Sequence, residues 1–252
     1  MSSSDDDSSN GDNFVEIVGQ QNMGMMTCGD EDIILKAIKS GRYNLGEVYN
    51  DTTGLIELCM ISCDWSHVAL KLIETGESNP GYVNSNGETA LMWACQLRRP
   101  EVAMALIQTG QAKPEQISRF GHTALIWACR QGMSEVAMAL IRTGQSNPGQ
   151  VDKDRYTALT SACDNYMPEV AIALIRTGEV NLGHIDKDGH DALYYARKSK
   201  LRTVIKMLEE MVSPRVGGTK KYRKTKKIYR NRKTRKTERR KGKRNKYTRN
   251  KK

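Results

Sequence analysis

Cysteines at nearly regular spacing are the first residues in this sequence that could do chemistry. Cys95, Cys129 and Cys163 follow one another at intervals of 34 residues, and Cys59 stands at the matching place one unit earlier. A metal site or a disulfide requires sulfur atoms close together, whereas equivalent positions on stacked helices lie about 10 Å apart. The spacing therefore predicts small buried side chains between helices, without a redox or metal role.

The other reactive residue types also lack a catalytic arrangement. The four histidines do not follow a metal-ligand spacing, and the chain has no phosphate-binding glycine loop, Gly-x-Ser-x-Gly elbow or His-Glu-x-x-His motif. Glu101, Glu135 and Glu169 recur with the same period, which places them at helix starts, where a carboxylate complements the helix dipole. We therefore expect no catalytic, cofactor-binding or metal-binding residues, and a protein that is not an enzyme.

Short helices that repeat along the chain must position these residues. Four near-identical segments begin 34 residues apart, at 87–95, 121–129, 155–163 and 189–197. A residue with a side-chain oxygen recurs in each segment where a helix N-cap belongs. The predicted caps are Thr89, Thr123, Thr157 and Asp191. Each segment therefore predicts one short helix that begins directly after its cap.

A second block keeps the period and predicts a second helix in each unit. Residues 68–76 recur at 102–110, 136–144 and 170–178, and each copy ends in a glycine suited to the left-handed position after a helix. One such helix pair cannot bury its apolar face alone, but stacked pairs can. The sequence predicts an all-α helix–turn–helix solenoid of about five repeats over residues 30–212. The predicted units are 30–41 (partial, with a lone second helix), 42–76, 77–110, 111–144, 145–178 and 179–212.

The repeated motif resembles that of a known family. The core reads Thr-Ala-Leu-(Met/Ile/Thr)-(Trp/Ser)-Ala-Cys and resembles the ankyrin core Thr-Pro-Leu-His-x-Ala, with Pro and His replaced and a period one residue longer. The variant Thr-Ala-Leu-Ile-Trp-Ala-Cys, the Ser-Asn-Pro-Gly connector and the basic tail after Gly217-Gly218 are similar to ankyrin proteins of giant DNA viruses of amoebae. Arg155 replaces a turn glycine, so we expect its connector tip to be distorted or mobile.

The resemblance implies a binding protein, expected as a monomer, that contacts a protein partner through its connector tips and the exposed ends of its short helices. Residues that vary between otherwise similar repeats are the candidates, and an exposed aromatic side chain at a tip makes Phe120 and Tyr156 the strongest of them. The candidate protein-binding residues are Tyr82, Glu88, Arg119, Phe120, His122, Arg130, Lys153, Arg155, Tyr156, Asp164, Lys187 and His190.

The charge is divided unevenly along the chain. Residues 1–214 contain 19 Lys or Arg and 28 Asp or Glu, whereas residues 215–252 contain 21 Lys or Arg and one acid. The polybasic tail, residues 213–252, is expected to be disordered. The tail residues expected to meet an anionic partner are Lys220, Lys221, Arg223, Lys224, Lys226, Lys227, Arg230, Arg232, Lys233, Arg235, Lys236, Arg239, Arg240, Lys241, Lys243 and Arg244.

Several uses of the tail stay open at this point. It could bind nucleic acid without sequence preference, or it could bind a nuclear import receptor. It could also direct the protein to a viral particle or factory, or dock on the acidic body of the same chain. Nucleic-acid binding mainly through the tail is the alternative to a protein-interaction module.

The sequence predicts the state of the N-terminal residues and the location of the protein. Residues 1–13 are expected to be disordered, and residues 14–29 are a candidate cap for the stack. We expect no secretory signal and no membrane span, and hence an intracellular location: the host cytoplasm or nucleus, or the virion, if the protein is viral.

Overall fold

Short helices in consecutive pairs make up the computed structural model, which describes residues 13–20, 31–60 and 64–212. Their bounds are α1 Phe14–Gln20, α2 Glu31–Ser40, α3 Gly54–Met60, α4 Ser66–Glu74, α5 Ala90–Gln96, α6 Pro100–Gln108, α7 Ala124–Arg130, α8 Ser134–Arg142, α9 Ala158–Asp164, α10 Pro168–Thr177, α11 Ala192–Lys198 and α12 Arg202–Val212. The odd-numbered helices, here called first helices, pack in one row, and the even-numbered second helices pack in another. The predicted all-α helix–turn–helix solenoid is confirmed.

The predicted caps explain where the helices begin. The side chain of Thr89 accepts a hydrogen bond from the Met92 N–H. Thr123, Thr157 and Asp191 likewise accept from the backbone N–H three residues further on. Pro100 and Pro168 occupy the first turn of second helices, where a missing N–H costs nothing. Glycines with positive φ follow the second helices at the predicted places: Gly76, Gly110, Gly144 and Gly178.

Small side chains fill the space between neighbouring first helices. Ala94 and Cys95 are fully buried, and the same pair recurs without exposure in the next two units. A leucine one turn earlier, such as Leu91, is buried with them, and Val102 and Leu106 close the core from the second helix. Because alanine and cysteine are small, the first helices can pack side by side along the whole stack.

Helices α1 and α2 form a complete pair before the five units that the repeated motif predicts. The sequence predicts a lone second helix in residues 30–41, whereas α1 supplies a first helix that packs on α3 while α2 packs on α4. Asn13, assigned by sequence to a disordered segment, accepts a hydrogen bond from the Glu16 N–H at 2.7 Å and so caps α1. The described helices therefore form six pairs, one more than the repeat count indicates.

Other expectations about the ends fall on residues that the structure does not describe. These are residues 1–12, residues 21–29 of the candidate cap, residue 30 of the partial first unit, and the tail from residue 213. A two-stranded hairpin, β1 (Val48–Tyr49) with β2 (Thr52–Thr53), leads into α3. Within the described residues, no helix combines the length and apolar character that crossing a membrane requires.

Contact between α1 and α3 gives a test of this packing. A Cβ added at Gly54 would lie 2.4 Å from a carbon of the buried Phe14 ring. Gly54→Ala should therefore lower the free energy of unfolding by roughly 1–3 kcal/mol, as overpacking does, although alanine favours helices. Urea titrations measure the change.

The matched control is the same substitution in a Phe14→Ala background. Removal of the ring removes the clash, so Gly54→Ala should then cost little, and the two substitutions should couple in a double-mutant cycle. An equal cost in both backgrounds would show that α1 does not pack on α3 in this way.

Candidate functional site

The connectors between units end in five-residue turns, here called tips 2 to 5, at 84–88, 118–122, 152–156 and 186–190; the hairpin at 48–53 is tip 1. In tip 4, the Asp152 N–H donates to the Tyr156 carbonyl at 3.0 Å, and the Asp152 carboxylate accepts from the Tyr156 N–H at 2.7 Å. Asn84, Ser118 and Asp186 make the same two bonds in the other tips. A polar side chain at the first position thus closes each turn.

The fourth position of each tip requires a left-handed backbone. Gly87, Gly121 and Gly189 have φ between +75° and +83°, and Arg155 has φ +64° at the equivalent place. The Arg155 N–H donates to the Asp152 carbonyl at 2.9 Å, as the glycines do in their own tips. The expected distortion is therefore wrong, because tip 4 keeps the shared hydrogen-bond pattern with a non-glycine residue in this conformation.

Neighbouring tips are bonded to one another along one edge of the stack. The Asp51 carboxylate of tip 1 accepts the Ser85 N–H of tip 2 at 2.8 Å. The Lys153 N–H of tip 4 donates to the Phe120 carbonyl of tip 3 at 3.0 Å. Lys187 of tip 5 pairs with Asp154 at 2.5 Å. Side chains on this edge are therefore held at fixed positions relative to one another.

An ion pair between a half-buried arginine and a buried carboxylate lies below the middle tips. The guanidinium of Arg130, at the end of α7, lies 3.3 Å from a carboxylate oxygen of Asp152, whose side chain has no exposure. The same guanidinium lies 5.5 Å from the Trp127 ring centroid and 5.2 Å from the Tyr156 ring centroid. Arg130 therefore joins two repeat units through one charge contact and two aromatic contacts.

His122 belongs to the same cluster. Its ring lies 4.6 Å from the Trp127 ring and its Nε2 lies 3.3 Å from the Arg130 guanidinium. The side chain is 17% exposed, so most of the imidazole is covered by this cluster. Burial lowers the pKa of His122, and the nearby Asp152 carboxylate opposes that effect only in part. The imidazole is therefore neutral at neutral pH.

The last two units carry a second aromatic group. The Tyr195 hydroxyl donates to the Asp186 carboxylate at 2.6 Å, and burial followed by this bond raises the pKa of Tyr195. His190 stacks on Tyr194 with ring centroids 3.7 Å apart. Lys198 pairs with Asp164 at 2.6 Å. The aromatic surface thus continues from the middle units to the end of the stack.

The predicted binding residues divide into two groups by exposure. Exposed side chains are Arg119, Phe120, Lys153, Arg155 and Lys187. Half-buried side chains are Tyr82, Glu88, His122, Arg130, Tyr156, Asp164 and His190. Tyr156 is therefore not the exposed tip residue that the sequence predicts, because it packs against the core and its ring lies 6.3 Å from that of Tyr195.

Aromatic residues outside the predicted set also reach the surface. Trp93 and Trp127 are half-buried and pack against the core. Tyr194 and Tyr166 are 38% and 68% exposed. The sequence does contain a signal that Trp93 and Trp127 face a variable surface. Their position reads Trp, Trp, Ser and Tyr in successive units, while the flanking Ala and Leu are nearly constant.

The cysteines are confirmed as buried, unpaired side chains. Cys59, Cys95, Cys129 and Cys163 have no exposure and form no disulfide. Burial raises the pKa of the Cys59 and Cys163 thiols to about 12, so both are protonated at neutral pH and poor nucleophiles. The remaining two cysteines, Cys28 and Cys63, lie outside the described residues.

One group of potential metal ligands is present among the described residues: Asp186, Asp188 and His190 place ligand atoms within 4.8 Å of one another. The Asp186 carboxylate already accepts hydrogen bonds from the His190 N–H and the Tyr195 hydroxyl. These bonds close tip 5 and are accounted for by the shared turn pattern. The triad therefore gives no support to a metal site.

Comparison with known proteins agrees with this architecture. A family model of ankyrin repeats, in three copies, matches residues 59–148. A search of curated proteins found no match. The chain thus carries ankyrin repeats in its middle part, and the described helix pairs on either side continue the same stack. Ankyrin repeats are generally non-enzymatic and indicate a protein–protein interaction module.

The neutral His122 gives a pH-dependent prediction. The pKa of this imidazole is lowered in the folded state, so the unfolded chain binds more protons once the pH falls below the ordinary value of 6.5. The stability that this site contributes is therefore present above that pH and is lost as the pH falls. Urea midpoints measured from pH 8 to pH 5 should decline more steeply in the wild type than in His122→Gln.

Carboxylates contribute to the pH dependence of stability in both the wild type and His122→Gln, so comparison of the two profiles removes their contribution. His67→Gln, which replaces an exposed histidine that contacts Glu31, is the control for the exchange of histidine for glutamine. Parallel profiles for the wild type and His122→Gln would contradict the burial argument.

Proposed function

We propose that the protein is a non-enzymatic interaction module that binds a protein partner along its tips and first helices, while the polybasic tail localises it or tethers it to an anionic partner. Residues that vary between repeats supply the contacts, and the constant residues supply the scaffold. The repeat stack acts as a monomer in this proposal.

The observation that carries the proposal is the arrangement around Arg130. Tryptophan, tyrosine and arginine are the side chains that most often dominate protein interfaces. Here Arg130 is held between Trp127 and Tyr156, and all three are half-buried, so each keeps part of its surface for a partner. The ion pair with Asp152 fixes the guanidinium before any partner arrives, which lowers the entropy lost on binding.

The scaffold supports the same conclusion. Tips 1 to 5 are joined by hydrogen bonds or ion pairs, and the first helices below them share a continuous core. Binding residues on such a surface keep fixed spacings, as recognition of a folded or extended partner requires.

The proposed role of the tail in localisation or tethering rests on its amino-acid composition alone. Its 21 basic residues against one acid favour association with phosphates through counterion release. A nuclear import receptor or nucleic acid is the proposed partner class for this segment, and binding of nucleic acid mainly through the tail is the second candidate function. The motif resemblance favours a viral origin, with the protein in the host cytoplasm or nucleus or in the virion.

The experiment is affinity capture from a lysate of amoebae with the full chain, quantified by mass spectrometry. Arg130→Lys keeps the charge beside Asp152 but loses the planar group between the two rings. Recovery of a discrete protein partner should fall at least about fivefold, as for an interface hot spot. Arg142→Lys, on the exposed side of α8, is the matched control and should leave recovery unchanged.

Truncation after Pro214 distinguishes protein binding by the repeat stack from nucleic-acid binding by the tail. Under the first proposal the truncated chain keeps the partner after high salt and nuclease treatment. If Arg130→Lys has no effect, and only the tail-containing chain retains material that salt or nuclease removes, the protein acts as a nucleic-acid binder and the module proposal is wrong.

A further inference from the structure

We infer that tips 3 and 4 form a docking point for an acidic segment of a protein partner, centred on Phe120 between Arg119 and Lys153. This inference rests on the proposed protein-binding function and names the chemistry of the partner. We call the three residues the Phe120 site.

The geometry brings two cations to one aromatic ring. The Arg119 guanidinium lies 5.2 Å from the Phe120 ring centroid, and the Lys153 ammonium lies 4.4 Å from it. The backbone bond between the Lys153 N–H and the Phe120 carbonyl holds the two tips in register. The Arg119 guanidinium also donates to the Asn86 side chain at 2.8 Å, so this cation is held between its neighbours in tips 2 and 3.

Charge distinguishes this site from the rest of the edge. Within the described part of the chain, neither Arg119 nor Lys153 has a carboxylate within ion-pair distance, and the exposed Arg155 in tip 4 has none either. Lysines nearer the end of the stack are already neutralised, because Lys187 pairs with Asp154 and Lys198 pairs with Asp164. Three unpaired cations in adjacent tips therefore offer complementary charge to carboxylates.

The ring adds an apolar contact. Phe120 is 41% exposed, whereas Phe14, the other of the two phenylalanines in the chain, is buried. An exposed aromatic ring flanked by cations suits a segment in which an apolar side chain lies next to acidic ones. Adjacent units lie about 10 Å apart, so three or four extended residues are enough to reach from tip 3 to tip 4.

An acidic peptide fits this site better than a nucleic-acid strand. A base that stacked on Phe120 would compete with the two cations already placed over its ring. A phosphate backbone that continued along the edge would meet the exposed carboxylates of Asp51 in tip 1 and Asp188 in tip 5. A short acidic segment needs only the middle of the edge.

The test uses the full chain and a synthetic twelve-residue peptide of Asp, Glu, Leu and Phe as the probe. Amide hydrogen exchange, measured with and without the peptide in physiological salt, shows where it binds. We expect protection in residues 117–123 and 151–157. A single-stranded oligonucleotide of equal charge serves as the second probe.

The double variant Arg119→Gln/Lys153→Gln should abolish that protection and weaken the tip-localised binding by about tenfold, as expected for removal of two steering charges. Lys71→Gln, on the second helix α4 and already paired with Glu74, is the matched control and should keep both the protection at the tips and the affinity. Binding of the peptide to the tail is the same in all three proteins and does not change exchange at the tips.

Two results would overturn the inference: absence of protection at the tips with the peptide, or stronger protection there with the oligonucleotide. If either occurs while Arg130→Lys still reduces capture of a protein partner, the Phe120 site is wrong and the interaction module stands. If Arg130→Lys is also without effect, the proposed function itself fails.

Discussion

Close packing of the first helices is the contact on which the rest of the structure depends. Ala94 and Cys95, with their equivalents in the next units, are fully buried because each unit offers a small surface that only its neighbour can cover. This packing sets the distance between units and therefore the distance between tips. The tip-to-tip bonds, the Arg130 ion pair and the aromatic surface all require that fixed spacing. At the start of the stack, α1 covers α3 by the close approach of Phe14 to Gly54.

The tips share one backbone conformation but differ in the side chains that they present. The turn-closing residue and the left-handed position are kept in tips 2 to 5, even where Arg155 replaces glycine. Positions beside them differ from unit to unit, so the same backbone presents Glu88, His122, Tyr156 and His190 at one equivalent place. A stack of similar units can in this way carry a surface with distinct chemistry along its length. The middle of that surface holds unpaired cations, and its far end holds neutralised ones.

Periodicity explains which features the sequence predicts. Helix positions, N-caps and glycine ends follow from a 34-residue period and local hydrogen bonding, and all are confirmed. The burial of Tyr156 and His122 depends on contacts with the following unit, through Tyr195 and Asp152, which no local pattern contains. The α1 cap lies outside the repeated motif, so no periodic pattern marks the contact of Phe14 with Gly54. The tail and its partners stay a prediction from composition.

Site-specific photo-crosslinking tests the central claim most directly. A photoreactive phenylalanine analogue replaces Tyr194, exposed on the first helix α11, or Gln108, exposed on the second helix α6, in the full chain. A third protein carries it at Tyr229 in the tail. If the first helices and tips bind the partner, the probe at position 194 captures a discrete protein and the probe at position 108 does not. Capture only from position 108 or position 229 would contradict the account.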